Sequence, residues 1–528
     1  MHKMIEILRI VGVFITAAAI SLALRVEGLT LAVHNWDETT FLIMGKDLLA
    51  GNLPYTHLFD NKPPLAFVLY AFSNLAFPGQ IAGLRIIGVL LVAITGSLAF
   101  WIVANVQGRW PGWMAGILTI ATLSWVKSGQ AVMTEHIAIV PLLASLAVIT
   151  SWSHRNYRER SLSAFAWGLL TGMAMLVRSN LIIVALLVLL CMTLWSQIRW
   201  FGRSRQASLP ISLMCLGIAF VLALTAFPYV ITDNLALLWH GTIISPLQYA
   251  QTKGMTGVTH SVIKWAFSLV NGGYRELTTL VLPLSSVFIS ALAVLTTLRG
   301  QMFNRHSLMV LTWTSIYFLG VCFSILRGGA FFEHYALQWM PFAAINLAVG
   351  LSLLVGQVQW KQRSMQWAAR SCFVIFFLLP LLESSNALFT RIRAGDIDSP
   401  EVTVIKQLRR LGASSKTKIW FARYHYAGWI LDIPPITRSV VHPSNLGRSS
   451  VLHKPRRGGA EPLTPPQELN AIAKEMPEFI VTSTQTPHYI SSHPALAVAY
   501  YKLLQTQYKT AYSDPKILVL QRFRSAAN

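Results

Sequence analysis

Apolar segments, each close to the length that crosses a membrane, recur through most of this chain. A transmembrane helix needs roughly 20 consecutive apolar residues. We predict eleven such helices, at residues 8–24, 86–106, 110–126, 136–152, 162–177, 181–198, 209–231, 277–298, 307–325, 335–358 and 371–390. Beyond residue 390 the pattern becomes mixed. The pattern therefore predicts an α-helical polytopic membrane protein over residues 1–390, followed by a separate small α/β domain over residues 391–528.

Composition and charge support a membrane environment. Hydrophobic residues make up 54% of the 528 positions and charged residues 12%, whereas soluble domains carry about 25% charged residues. The net charge of +22 would suit a nucleic acid, but the basic residues concentrate in alternate loops. If the N-terminus is cytoplasmic, the cytoplasmic segments hold fourteen basic and two acidic residues. The positive-inside rule explains that bias, so we expect no nucleic-acid partner.

This topology leaves three long segments outside: residues 25–85, residues 232–276 and the tail from residue 391. In the tail we predict helices at 401–411 and 467–476, strands at 418–424, 478–483 and 517–523, and a loop over 440–466. The tail contains 19 Lys and Arg against 9 Asp and Glu. A basic domain beside a membrane suits anionic lipid headgroups or an anionic acceptor. A generally solubilising surface would have the same charge.

The first exterior segment contains the main candidate chemistry. Asp37 and Glu38 precede a pattern typical of an amphipathic helix that ends at Gly51, and a second apolar helix follows Lys62. We predict that both helices lie on the membrane surface and hold the acids and the lysine at headgroup depth. A carboxylate there can take a proton from an acceptor hydroxyl, and a cation can stabilise a departing phosphate. Alternatively, the two acids only cap a helix.

Three strings in this segment resemble a known family. They are D-E-x-x-F from Asp37, G-x-L-P-Y from Gly51 and F-D-x-K-P-P-L from Phe59. They resemble the GT-C superfamily of glycosyltransferases, in particular the bacterial family-39-like group of aminoarabinose transferases, rhizobial galacturonosyltransferases and relatives of protein O-mannosyltransferases. The resemblance implies a bundle of helices with an exterior active site and a polyprenyl-phosphate sugar donor. It also implies that Asp37 is the catalytic base and that Lys62 lies near the donor phosphate.

One position departs from the family pattern. Aminoarabinose transferases have a glutamate, implicated in metal binding, directly before the lysine. Here Asn61 takes that position and Asp60 lies one residue earlier. A divalent metal therefore has weak support, aminoarabinose is doubtful as the sugar, and no other cofactor is indicated.

Further candidates lie in other exterior segments. We expect Glu135 to act with Asp37 and Glu38 as an acidic catalytic group, on the acceptor side. Beside Lys62, the predicted phosphate-binding residues are Arg178, Arg327, His334 and Tyr335, and the predicted substrate contacts are Tyr55 and Asp60. The alternatives are a snorkelling arginine and an aromatic-belt tyrosine. Weaker candidates are His136, His240, Tyr249, Lys253 and His260.

Together these features predict a membrane glycosyltransferase of a bacterial inner membrane. It would move a monosaccharide from a polyprenyl-phosphate carrier to a hydroxyl of a glycolipid, a lipopolysaccharide or a protein on the periplasmic face, with inversion implied by the resemblance. A transporter of lipid-linked glycans is one alternative, but it predicts an internal repeat and charges at mid-span. An O-antigen polymerase or ligase is another, and the motifs of the first exterior segment argue against it.

Overall fold

The computed structural model describes residues 2–126, 128–152, 157–199, 204–251, 259, 263, 274–298, 305–328, 332–357, 378, 381–390, 393, 399–456 and 459–523. The chain divides into two compact units. The first, here the helical unit, contains Met1–Thr30, Arg85–Leu224 and Lys253–Thr390. The second, the mixed unit, contains Leu31–Leu84, Thr225–Thr252 and Arg391–Asn528. The tail therefore belongs to the same unit as the segment that contains Asp37.

The structure is mainly helical. In chain order the helices are α1 (His2–Thr30), α2 (Trp36–Leu49), α3 (Leu65–Ala76), α4 (Ile81–Gln107), α5 (Arg109–Trp125), α6 (Thr134–Thr150), α7 (Tyr157–Val177), α8 (Ile182–Arg199), α9 (Ser204–Ile231), α10 (Leu235–Trp239), α11 (Tyr274–Leu298), α12 (Arg305–Arg327), α13 (Met340–Gln357), α14 (Pro400–Arg410), α15 (Tyr426–Ile430), α16 (Pro465–Lys474), α17 (His488–Ser491) and α18 (Pro494–Gln507). The strands are β1 (Ile419–Phe421), β2 (His453–Arg456), β3 (Gly459–Pro462), β4 (Phe479–Thr482), β5 (Tyr508–Ser513) and β6 (Leu518–Arg522).

The predicted apolar segments are helical over nearly all of their described residues. Ten of the eleven coincide with α1, α4 to α9 and α11 to α13. Of the eleventh, residues 381–390 are helical, and residues 371–377, 379 and 380 lie outside the described residues. Within the described part, five helices are long and apolar enough to cross a membrane, and others are shorter. The polytopic helical fold is confirmed.

Small residues allow helices of the helical unit to approach closely. Gly168 on α7 faces Gly217 on α9, and a Cβ atom on Gly168 would come within 2.1 Å of the Met214 carbonyl oxygen. Backbone contact of this kind is how helices associate in lipid, where burial of apolar side chains gives no advantage over lipid contact.

The tail contains the predicted α/β structure. Its four-stranded sheet has the order β1-β4-β6-β5, in which only the β1–β4 pair is parallel. Trp420, Ile480 and Leu520 lie in the apolar cluster behind it, together with side chains of α16 and α18. The prediction of a loop over residues 440–466 is wrong in part, because β2 and β3 pair there as an antiparallel hairpin. The Pro, Gly and Arg content of the segment concealed that hairpin.

The two helices of the first exterior segment form, but α2 is not amphipathic in the predicted way. Its buried residues include apolar Phe41 and Met44 and also polar Glu38 and Thr39. It packs against α3 and α15, so its polar face is covered by protein. The exposed apolar stripe is on α3, where Val68, Phe72 and Leu75 are each at least half exposed. At helical spacing these form one face, which is the face suited to a lipid surface.

Candidate functional site

Asp37 lies in the first turn of α2 and remains accessible. Helix α2 begins where the Asn35 side chain accepts a hydrogen bond from the Asp37 amide (2.9 Å), as an N-cap residue does. The Asp37 side chain is 29% exposed, whereas Glu38 is fully buried. Of the adjacent acids, Asp37 is therefore the one that a substrate can reach.

His442 of the tail holds the Asp37 carboxylate. Its Nε2 lies 3.3 Å from Asp37 Oδ1, and its Nδ1 lies 3.2 Å from the Ser444 amide nitrogen. A backbone N–H can only donate, so Nδ1 is the acceptor and the proton of the neutral ring is on Nε2. His442 therefore turns its protonated Nε2 towards the carboxylate, and the Ser444 contact selects that tautomer.

Other tail residues surround the beginning of α2. Nε2 of His425 lies 3.1 Å from the Trp36 carbonyl oxygen, and the Arg423 guanidinium carbon lies 5.2 Å from the centroid of the Trp36 ring. Burial, with a smaller effect of His442, lowers the pKa of His425 to about 3. His425 is therefore neutral and acts here as a hydrogen-bonding residue that ties α2 to the tail.

The loop before α3 presents Lys62. Asp60 Oδ1 accepts from the Lys62 amide (3.1 Å), and the Tyr55 hydroxyl donates to the Lys62 carbonyl. Tyr55 is fully buried and has φ +71. A Cβ atom added to Gly241 would lie only 2.6 Å from carbon atoms of the Tyr55 ring, so the ring packs directly against this glycine. Tyr55 and Asp60 thus hold the loop backbone on both sides of the lysine.

The charges of this loop are coupled. Burial raises the pKa of Asp60. Lys62 and His442 act in the opposite direction and lower this pKa, whereas Asp37 raises it further. The Lys62 side chain is partly buried, and no hydrogen-bond or ion-pair partner of its ammonium group lies among the described residues. The role of this ammonium group in binding a phosphate stays a prediction.

The helical unit brings together several residues that were predicted separately. Glu135 is fully buried in the first turn of α6, and its Oε1 accepts from Arg178 Nη1 at 2.5 Å. Arg178 follows α7, and its guanidinium carbon lies 4.8 Å from the centroid of the Tyr335 ring. His334 Nε2 lies 3.7 Å from Glu135 Oε1. These four residues form a cluster in which Glu135 and Arg178 are buried and His334 and Tyr335 are partly exposed, and in which Arg178 is ion-paired instead of snorkelling.

Asn180 supports this cluster through hydrogen bonds. Arg327, which was also predicted to bind phosphate, is a separate case. Asn180 donates to Ser324 Oγ (2.9 Å) and to Gln338 Oε1 (3.0 Å), and it is also 3.4 Å from Arg178 Nε. Arg327 ends α12 and is exposed. Among the described residues, no hydrogen bond or ion pair joins Arg327 to the cluster.

The weaker candidates have mixed outcomes. His136 is buried, and its two ring nitrogens contact the Met133 amide (3.2 Å) and the Leu123 carbonyl (3.1 Å), so it has a structural role. His240 and Tyr249 lie in the mixed unit. Lys253 and His260 lie outside the described residues. Within the described part of the chain, no group of three His, Cys, Asp or Glu residues could hold a metal ion.

Comparison with known proteins identifies the fold. The sequence model of the dolichyl-phosphate-mannose-protein mannosyltransferase family matches residues 43–240. The crystal structure of ArnT from Cupriavidus metallidurans bound to undecaprenyl phosphate is 15% identical, with a TM-score of 0.58 over 99% of both chains. Oligosaccharyltransferase AglB from Archaeoglobus fulgidus, in complex with an inhibitory peptide and a dolichol-phosphate, is 13% identical, with a TM-score of 0.54 over 98% of this chain and 75% of that one. This chain has the GT-C fold.

The matched segment indicates that this GT-C protein is a glycosyltransferase, and its apolar helices are those of a multi-pass membrane protein. The segment includes Lys62, Glu135 and Arg178, whereas Asp37 precedes it. No curated protein matches the chain significantly by sequence.

Sequence reasoning missed the tail residues that contact Trp36 and Asp37. His442 and His425 lie far along the chain, and neither stands in a pattern that points to residue 37. The only available signal was the presence of histidines in the tail predicted to be exterior, and the tail has five of them, which is too common a feature to identify a site. Their contacts with Asp37 and Trp36 became evident only from the packing of the mixed unit.

Proposed function

We propose that this GT-C protein transfers a monosaccharide from a polyprenyl-phosphate carrier to a hydroxyl group of a glycolipid or protein. We place the reaction on the periplasmic face of a bacterial inner membrane. The observation that carries the proposal is the accessible Asp37 carboxylate, which His442 orients through an N–H donor. The GT-C relatives support the donor class, since one structure of ArnT contains undecaprenyl phosphate and one of AglB contains a dolichol-phosphate.

In this proposal Asp37 is the general base. The acceptor oxygen forms a bond to C1 of the sugar while the bond from C1 to the phosphate oxygen breaks, with inversion at C1. The acceptor proton passes to Asp37, and the carrier leaves as polyprenyl phosphate. A positioned base contributes about 10²–10⁴-fold to such a step. His442 acts as a positioning residue because it fixes which way the carboxylate faces.

Lys62 stabilises the departing phosphate in this scheme. The Asp60 carboxylate is engaged by the Lys62 backbone amide, so the ammonium group can face an incoming anion. A lysine binds phosphate as a point charge. The positive charge of the lysine stabilises the transition state most when it lies beside the oxygen on which negative charge develops. Tyr55 and Asp60 then position Lys62 through its backbone. Glu38 is fully buried, and we assign it a structural role in α2.

For the helical unit we propose a role in recognition of the donor phosphate. Arg178 presents a guanidinium group beside Tyr335 and His334, and these three side chains offer donors that suit phosphate oxygens. Glu135 is buried against Arg178, so it acts by holding that side chain in place. We assign Arg327 to the same function on the basis of its charge and its position at the end of α12.

The test is sugar transfer by purified Asp37→Asn protein in a membrane extract, with a panel of polyprenyl-phosphate sugars as donors. We expect transfer to fall by about 10²–10⁴-fold, while donor binding and thermal stability stay at the wild-type level. Asp432→Asn is the matched control, since Asp432 is an exposed acid of the same unit (69% exposed), and it should retain full activity. Undiminished transfer by Asp37→Asn would remove Asp37 from the mechanism. Absence of transfer from every donor in the wild type would overturn the proposal.

A further inference from the structure

A second group of polar side chains in the mixed unit is not used by the proposed mechanism. Arg438 lies beside Phe59, whose amide donates to the Arg438 carbonyl (3.0 Å), and its guanidinium carbon lies 5.8 Å from the centroid of the Phe59 ring. All three guanidinium nitrogens are buried. In the part of the chain that the structure describes, none of them has a hydrogen-bond partner.

Two imidazole rings complete this group, which we call the Arg438 cluster (Arg438, His240 and His453). The His453 ring packs edge-on against Phe59, with centroids 3.9 Å apart, and the His240 ring lies 4.4 Å from that of His453. Nε2 of His453 and Nδ1 of His240 are buried without hydrogen-bond partners among the described residues. Five buried polar atoms from three basic side chains are thus unsatisfied in one place.

The protonation of His453 follows from its backbone contact. Its Nδ1 lies 3.1 Å from the Val451 carbonyl oxygen, which can only accept, so Nδ1 carries the proton of the neutral ring. Nε2 therefore presents a lone pair. Burial, then Arg438 and His240, lower the pKa of His453 to about 3, which keeps the ring neutral.

The electrostatics of the cluster require a compensating group. Burial lowers the pKa of Arg438 to about 10, so the guanidinium stays charged at neutral pH. A buried charge without a partner is strongly destabilising, and buried polar groups of native proteins are nearly always hydrogen-bonded. An anion would satisfy the guanidinium. A metal cation is disfavoured because it would lie beside that positive charge.

We infer that the Arg438 cluster binds an oxyanion that also carries a hydroxyl proton, of the phosphate monoester class. The guanidinium fork matches two phosphate oxygens, and the P–O–H group of a singly protonated monoester can donate to the lone pair on His453 Nε2. A phosphodiester lacks that proton, so an ordinary phospholipid linkage does not fit. The source of the group is either inorganic phosphate or a phosphate monoester on a larger molecule.

Ligand binding to the full-length protein, in a phosphate-free buffer and a neutral sugar-headed detergent, tests this inference. The probes are inorganic phosphate, a short alkyl phosphate monoester, a dialkyl phosphate and sulfate, each measured by calorimetry. We expect saturable binding of phosphate, the monoester or both, and at least tenfold weaker binding of the diester and of sulfate, which have no proton to donate at neutral pH. Binding of the monoester but not of free phosphate would identify a larger ligand as the source.

Variants assign the binding to the cluster. Arg438→Met should weaken phosphate binding at least tenfold, and His453→Phe should remove the preference for phosphate over sulfate. Arg409→Met replaces an exposed arginine of the same unit and should bind normally. If Arg438→Met does not fold, Arg438→Lys, which keeps the charge without the fork, carries the test with the same expected loss.

Two further variants separate this site from the proposed reaction. Lys62→Met and Asp37→Asn should lose sugar transfer and keep phosphate binding, so failure of one proposal leaves the other measurable. No saturable binding of either monoester probe in the wild type, or unchanged binding in the Arg438 variant, overturns the inference. Equal binding of phosphate and sulfate overturns the requirement for a hydroxyl proton.

Discussion

At the scale of single residues, the surroundings of Asp37 depend on His442. The Ser444 amide donates to His442 Nδ1, and His442 Nε2 then lies 3.3 Å from Asp37 Oδ1. The second nitrogen of a histidine commonly has its state set by the hydrogen bond made by the first. Because the contact comes from a side chain 10% exposed, it is protected from competing water.

Substitution of His442 should separate positioning from folding. His442→Gln retains an N–H donor at a similar distance from the backbone. His442→Leu retains a side chain of substantial volume but has no hydrogen-bond donor. We expect His442→Leu to lower kcat by roughly 10–100-fold, as losses of supporting side chains do, and His442→Gln to retain most of it. Transfer assays together with melting temperatures check this. Equal loss in both variants with equal melting temperatures would show that the donor is irrelevant.

At the scale of elements, α16 shows how the tail forms its local structure. Thr464 caps the helix in a reciprocal contact with Gln467, whose Oε1 accepts from the Thr464 amide at 2.8 Å. The prolines at the start of the helix suit its first turn. Glu468, in the same turn, is buried and accepts from the Thr437 hydroxyl at 2.5 Å. The helix is thereby connected to the segment that leads to Arg438.

Glu468 should make stability of the mixed unit depend on pH. Burial raises the pKa of Glu468 above its ordinary value of 4.5. A carboxyl group with a raised pKa contributes stability below its unfolded pKa and loses it as the pH rises through the folded one. Glu468→Gln keeps an acceptor for Thr437 and cannot ionise. Its apparent Tm relative to the wild type should therefore increase between pH 4 and pH 8. A constant difference across that range would contradict this expectation.

At the scale of the whole molecule, the chain alternates between its two units. The mixed unit takes Leu31–Leu84 and Thr225–Thr252 from between helices of the helical unit and adds the tail. Most of the first segment predicted to be exterior, and residues 232–252 of the second, thus belong to the same unit as the tail. The predicted orientation in the membrane rests on the charge bias of the loops.

Cysteine labelling in intact spheroplasts tests that orientation. Ser415→Cys, at an exposed tail position, should react with a membrane-impermeant maleimide. Arg158→Cys, at an exposed position in a predicted cytoplasmic loop, should react only after permeabilisation. The wild type measures the background, because its four cysteines all lie in apolar segments. The reverse labelling pattern would place the tail, and Asp37 with it, in the cytoplasm.

The fold could be anticipated to a large extent from the chain alone. Lipid requires long apolar helices, so the spans were evident as uninterrupted segments, and the strands β1, β4 and β6 were evident from short apolar segments between turns. The hairpin of β2 and β3 was missed, since Pro and Gly dominate its local composition. The burial of the polar face of α2 was missed. Hydrophobic periodicity shows which face of a helix is apolar, but it does not show whether other parts of the protein cover the polar face.

The amino-acid sequence was enough to predict the apolar helices, the acidic motif with Lys62, and the separate candidates Glu135, Arg178, His334 and Tyr335. The pairing of Arg178 with Glu135, the contact of His442 with Asp37, and the burial of the Arg438 guanidinium beside two histidines emerged only from the folded chain. The difference lies in how far apart the contributing residues are along the sequence. Apolar periodicity and motif spacing express the needs of one segment, whereas these contacts join side chains that come together only when distant segments pack into one unit.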